Sequence, residues 1–148
     1  MNMNCSYNIR NASISDSQEI IDIWQEANLI RPWNDPISDI KICLDNKTST
    51  ILLLCNQIQI LGTIMVGYDG HRGWIYYLAV KGKFQNKGFG RKLIIEAEKW
   101  LADKNVNKVN LMVRNSNKSI ISFYQNIGYK DDDVVTLSKW FNDSNIKK

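Results

Sequence analysis

The 148-residue chain has few of the residues that staple or punctuate small proteins: one histidine (His71), two prolines (Pro32 and Pro36) and three cysteines (Cys5, Cys43 and Cys55). An odd number of cysteines with no short spacing argues against a disulfide framework or a zinc site and implies a reducing compartment. A lone histidine in a polar turn, with no second histidine or carboxylate cluster nearby, is a solvated turn residue, and no metal is expected. No apolar run approaches the roughly 20 residues of a membrane span. Met1 to Ser6 carry no charged stretch leading into an apolar one, so no signal peptide is read. The expected location is the cytoplasm, away from membranes. Charge of one sign is also scarce: 19 Lys and Arg against 15 Asp and Glu leave a net charge of +4, interleaved along the chain. Basic and aromatic residues do not alternate on one element, which disfavours nucleic acid as a partner.

What is present fits one ordinary domain over 1–148, with 44% hydrophobic and 23% charged residues. The polar tail 142–148 is expected to fray. Residues 7–12 read as a strand. Ser15 and Gln18 have capping-box spacing, ahead of a helix with Ile20, Ile23, Trp24 and Ala27 on one face. Pro36 opens a second helix reaching Asn46. Strands follow at 50–55, 58–68 and 73–80. Gly62 suggests a bulge, and Asp69-Gly70 marks a hairpin. A helix after Gly90 buries Leu93, Ile94, Ala97, Trp100 and Leu101, the spacing of a core-facing stripe. A strand at 109–113, a short helix capped by Asn117 and stopped by Gly128, and a last strand at 134–139 complete the chain. The fourth and fifth strands are joined through a helix and so run parallel, giving a mixed α/β sheet with helices on both faces. Ligands in such sheets sit at the C-terminal ends of parallel strands.

One stretch lies at that end: Gln85-Asn86-Lys87-Gly88-Phe89-Gly90, between the 73–80 strand and the following helix. Glycine at 88 and 90 lets a ligand approach the backbone. A helix starting there leaves its first N–H groups unpaired, with the positive end of its dipole behind them, which suits a phosphate. Lys87, Arg91 and Lys92 add positive charge where the dipole is already positive, so an anion is expected to offset them. By itself the hexapeptide is a weak signal, because two glycines often serve only to make a turn. A Walker-type nucleotide site is not supported, since Leu93 follows Lys92 where a Ser or Thr is required.

Leu78-Ala79-Val80, a short loop and then Gln85-x-x-Gly88-x-Gly90 opening a helix resemble the acetyl-CoA signature of the Gcn5-related N-acetyltransferases (GNAT). Asn117, Tyr124 and Ile127-Gly128-Tyr129 resemble a second segment of that family, and the element order is similar to the family's from about residue 7 to 140. Arg31 to Pro36 and Tyr68 to Gly73 resemble a small bacterial subgroup of undefined substrate. The resemblance implies a GNAT-like, mostly antiparallel sheet of six to seven strands with about four helices. It implies acetyl-CoA as cofactor and transfer of the acetyl group to a primary amine of a small molecule, or to a peptide or protein N-terminus. It also implies site residues. The amides of Gln85, Asn86, Lys87, Gly88, Phe89 and Gly90, with Arg91, would hold the pyrophosphate. Leu78, Ala79 and Val80 would bind the pantetheine arm through their main chain, with the Val80 N–H toward the thioester carbonyl. Asn117 would touch the cofactor, and Tyr124 would face the sulfur. A non-catalytic acyl-CoA sensor of the same fold is the alternative, and homodimerisation stays open.

The acceptor side is less defined. Trp33 and Asn34, in the loop between the prolines, and Tyr76 and Tyr77 are candidate substrate residues; Trp33 folded back on the core is the competing reading. Family members often carry a Glu near positions 76 and 77 as base, whereas this chain has Tyr at both. A lysine amine is neutral only about once in 2,500 molecules at pH 7, an α-amine about one time in ten. A site without a strong base therefore leans toward a less basic amine. Asp131 to Asp133 could attract a cationic acceptor or simply form a polar turn.

Overall fold

The computed structural model describes residues 6–141, which divide into two compact units meeting between Leu111 and Met112. The first unit is built on a five-stranded sheet in the order β1 (Asn8–Asn11), β2 (Ser49–Cys55), β3 (Ile60–Tyr68), β4 (Gly73–Val80) and β5 (Val109–Asn110). β1 to β4 are antiparallel neighbours, and β5 joins β4 in parallel.

β2 is apolar on both faces because both are covered. Ile51, Leu53 and Cys55 point into a core with Ile20, Ile23 and Trp24 of α1 (Ser17–Glu26) and Ile40 and Cys43 of α2 (Pro36–Asp45). Leu52 and Leu54, on the opposite face, are also buried, and α3 (Phe89–Ala102) packs on β2, β3 and β4 there. Leu93, Ile94, Ala97 and Leu101 form the buried stripe of α3; Trp100 is only half-buried. A Cβ on Gly62 would lie 2.9 Å from the Ala79 carbonyl oxygen and 3.0 Å from Leu93 Cδ1, so glycine lets α3 approach the sheet closely. The β2–β3 bulge falls beside it, where Leu54 faces Gly62 and Cys55 faces Ile60.

Three expectations need correction. The capping box uses Ser13 and Asp16, not Ser15 and Gln18: the Ser13 N–H donates to Asp16 Oδ2 at 2.8 Å, and Arg10 holds the same carboxylate at 2.8 and 2.9 Å. A carboxylate pinned by a guanidinium is the better acceptor, so the chain first makes a short 3-10 turn, Ile14–Asp16, before α1. Second, the expected 109–113 strand keeps only Val109 and Asn110, paired with Gly73 and Trp74. Beyond Trp74, β4 carries a bulge, which bends a strand and ends its pairing. Third, 134–139 is irregular in the structure, with Val134, Val135 and Leu137 exposed. Alternating apolar residues make a strand only where a hydrogen-bonding edge receives them. The sheet therefore has five strands among the described residues, rather than six or seven.

The second unit contains α4 (Lys118–Asn126). Asn117 caps it, accepting from the Ile120 N–H at 3.4 Å, and Gly128 follows it with φ +101°. The tail 142–148 and Cys5 lie outside the described residues.

Candidate functional site

The glycine turn has the form its sequence predicts. Gly88 is left-handed (φ +79°, ψ 9°) as N-cap of α3, and a Cβ there would meet nothing within 4 Å. Glycine is thus required by the backbone, and the space above it is open. The first bond of α3 runs from the Lys92 N–H to the Gly88 carbonyl at 3.1 Å. Among the described residues, the N–H groups of Asn86, Lys87, Gly88, Phe89, Gly90 and Arg91 donate to no acceptor. Asn86 is also left-handed, with φ +59°. Six consecutive free donors at a helix N-terminus have the geometry that suits an anion, a candidate cradle. Its charge is unopposed: Lys83 and Lys87 lie 5.5 and 5.6 Å from the Phe84 ring, and neither they nor Arg91 form an ion pair among the described residues.

Gln85 has a different place. Its N–H is taken by the Gly82 carbonyl at 3.2 Å, and its side-chain amide donates to the Val80 carbonyl at 3.0 Å. It ties the turn to the end of β4. Two acids of α1 anchor the same junction: Gly82 N–H donates to Glu26 Oε1 at 2.8 Å, and Lys81 Nζ reaches Glu19 Oε1 at 3.1 Å. Phe89 points inward and is buried against Tyr7, ring centroids 4.8 Å apart.

The register of β4 sets which main-chain groups are free. Lys81 N–H bonds the Leu61 carbonyl at 2.8 Å. Antiparallel partners alternate between bonded and non-bonded pairs, so Val80 opposite Gly62 is a non-bonded pair and Ala79 opposite Thr63 a bonded one. The Ala79 main chain is spent on β3. The Val80 N–H and carbonyl point to the other edge, where β5 is absent beyond Trp74. Leu78 lies in the bulge, where Tyr77 and Leu78 together oppose Ile64.

Tyr77 is the strained residue of that bulge, with φ +52°. Three contacts hold it. Its ring stacks on Trp24, its carbonyl accepts from Thr63 Oγ1 at 3.0 Å, and its hydroxyl donates to Asp39 Oδ2 at 2.7 Å. Thr63 is fully buried and in turn accepts from the Trp24 indole N–H at 3.0 Å. Burial, and then the Asp39 carboxylate, hold the Tyr77 phenol well above the usual range, against a weaker opposing contact from Asn34. Tyr76 is exposed, stacks near Trp74, and has its phenol raised by burial and then by the charge of Asp69. Trp33 is 38% exposed and so does not fold back into the core.

Asp39, Thr63 and Trp24 gather around Tyr77 only in three dimensions. Nothing in a single sequence marks Asp39 apart from other acids on a helix, and Trp24 reads only as core. Asp69 binds the N–H groups of His71 and Arg72, leaving His71 exposed in its turn.

In the second unit, Tyr124 is 8% exposed, with its ring edge-on to Phe123 and Tyr129. Burial pushes its phenol up to about 12. The Asn117 side-chain oxygen is occupied by its helix cap and by Ser119, leaving its NH2 to donate. Asp131 accepts from the Asp133 N–H at 2.9 Å, so two acids of the 131–133 run form a polar turn. Among the described residues no three His, Cys, Asp or Glu side chains gather as a metal site, and no helix is long and apolar enough to cross a membrane.

A family model described as the acetyltransferase (GNAT) family matches residues 17–129. An acetyltransferase of Yersinia enterocolitica is 40% identical over 125 residues, covering 84% of this chain and 89% of that protein. One from Sodalis glossinidius is 40% identical over 122 residues, covering 82% and 86%. Among solved structures, a predicted acetyltransferase from Clostridium acetobutylicum with acetyl-CoA aligns with TM-score 0.74 at 16% identity, over 90% of this chain and 96% of that one. An aminoglycoside N-acetyltransferase in complex with CoA aligns with TM-score 0.78 at 11% identity, over 96% and 99%.

Proposed function

This chain belongs to the acetyltransferase (GNAT) family and is an acetyl-CoA-dependent acetyltransferase, and we propose that it transfers the acetyl group directly to a primary amine of a small molecule or of a peptide or protein N-terminus. The observation that carries the reading is the row of free N–H groups from Asn86 to Arg91 beside the open edge of β4. These donors fit the cofactor's pyrophosphate, with Lys87 and Arg91 adding charge, while Gln85 holds the turn against Val80. Bound there, acetyl-CoA supplies an acetyl group activated as a thioester.

Val80 is the main-chain donor we assign to the acetyl carbonyl oxygen as it gains negative charge. A preorganised donor of this kind is worth roughly 3–4 kcal/mol. Leu78 would contribute to the pantetheine arm; Ala79, turned to β3, would contribute through its position rather than its N–H. Asn117 donates to the cofactor through its free NH2, and Tyr124 donates a hydrogen bond to the departing sulfur. With a phenol at about 12 and a thiol near 8.5, full proton transfer would be uphill by roughly 5 kcal/mol, so Tyr124 keeps its proton. Trp33, Asn34, Tyr76 and Tyr77 face the acceptor. The protein works in the cytoplasm, on a soluble acceptor rather than nucleic acid.

Thermal shift with acetyl-CoA, ATP and NAD, followed by thiol release across polyamines, aminoglycosides, amino acids and peptides, tests this. Stabilisation by acetyl-CoA with amine-dependent release is expected. Acetyl-CoA binding with no release for any amine would support a sensor instead.

A further inference from the structure

Asp39 meets a phenol and the N-terminal end of a helix, but no cation among the described residues. It is half-buried in the first turn of α2 and accepts from the Tyr77 phenol through Oδ2 at 2.7 Å. A carboxylate has about four lone-pair sites, so Oδ1 keeps its capacity. The neighbouring charges are committed elsewhere. Asp35 caps α2 and binds Ser38, Lys41 pairs with Asp45, and Arg31 binds the carbonyls of Asn28 and Ile30. Asp39 itself forms no ion pair among the described residues. Trp24 covers one face of the Tyr77 ring, and Trp33 in the adjoining loop is exposed. A carboxylate with lone pairs to spare suits an ammonium or guanidinium group.

That group is not the amine that reacts. A carboxylate in contact with an ammonium favours its charged form, which has no lone pair for attack. Asp39 is also displaced from the Val80 donor: it meets Tyr77, in the bulge of β4, whereas Val80 lies beyond that bulge. Resting on the acetyl-transfer reading above, we propose that Asp39, presented by Tyr77, anchors a second cation of the acceptor, so that the substrate class is dicationic: one primary amine that is acetylated and another cation held apart from it.

The test compares a series of linear diamines, diaminoheptane among them, with monoamines matched in length, on wild type and Asp39→Asn, and takes the diamine that wild type uses best. Each protein is first checked for melting temperature and acetyl-CoA affinity. Wild type is expected to favour the diamine about 20-fold in kcat/KM, the scale of one charged hydrogen bond, and D39N to reduce that ratio to about threefold or less. A wild-type ratio near one overturns the proposal, as does a ratio that D39N preserves. NMR of the CoA-loaded protein reports occupancy without turnover through the Trp24 indole N–H. Saturable shifts with a diamine of the series in wild type, absent in D39N, support the anchor. No shift in wild type overturns it. Shifts without acetyl transfer to any amine would retain the anchor and overturn the transfer reading instead.

Discussion

The indole of Trp24 lies face to face with the phenol of Tyr77, ring centroids 3.8 Å apart and planes 8° from parallel. One ring comes from a core helix and the other from a strand residue with positive φ. The stack therefore couples the hydrophobic core to the bulge that frees the edge of β4. A left-handed tyrosine costs on the order of 1 kcal/mol, and the stack with its two hydrogen bonds supplies the compensation. Trp24→Ala is expected to lose about 3–5 kcal/mol, read by urea denaturation, because a fully buried indole leaves a cavity. Tyr77→Phe keeps the stack and loses only the bond to Asp39, about 1–2 kcal/mol. A Tyr77→Phe loss as large as that of Trp24→Ala would show that the hydroxyl, not the stack, holds the bulge.

Gly88→Ala separates backbone strain from ligand contact. The free protein should lose only about 1 kcal/mol, since the new methyl group meets no atom within 4 Å and the cost is conformational. Acetyl-CoA affinity, measured by calorimetry, should fall at least about tenfold, because the methyl group occupies the open space over the cradle. Unchanged affinity would place the pyrophosphate elsewhere.

Tyr124→Phe should lower kcat by about tenfold at most, the scale of one neutral hydrogen bond. With the phenol at about 12, no falling limb attributable to Tyr124 should appear in the kcat/KM profile below pH 10. The raised value also predicts that stability present below pH 10, the ordinary phenol pKa, is lost as pH rises toward 12. A kcat limb near pH 9 that vanishes in the variant would identify Tyr124 as a proton donor.

The Arg10–Asp16 pair should set part of the acid sensitivity. Its bidentate bond to Arg10 lowers the Asp16 carboxyl to about 2 from an ordinary 3.8. A depressed carboxyl contributes stability that is complete above pH 4 and disappears as pH falls through 2. Arg10 is 43% exposed, so solvent screening limits the contribution to about 1 kcal/mol. Asp16→Asn should cost that amount at pH 7 and much less at pH 2.5. An equal loss at both would assign it to packing.

Local rules carried much of the fold because they act within a few residues. Apolar periodicity located α1 and the buried stripe of α3, Pro36 marked the start of α2, and Asn117 and Gly128 bounded α4. The same rules failed where a partner decides. The 134–139 segment has strand chemistry but pairs with no strand among the described residues, and β5 stops where β4 departs from it. Ser15 has a good capping spacing, yet Asp16 became the acceptor because Arg10 reaches it across six residues.

The glycine turn and the helix start after it were legible in the sequence alone. A glycine at a left-handed position, followed by a helix start, specifies free N–H groups through backbone geometry, whatever surrounds it. Which strand groups face outward, and which carboxylate meets Tyr77, were decided only in three dimensions. The first depends on the pairing register of Val80 and Gly62, the second on Tyr77 meeting Asp39 from 38 residues away. Both are relations between distant segments, set by how α1, α2 and β4 share one core, and no local pattern encodes them.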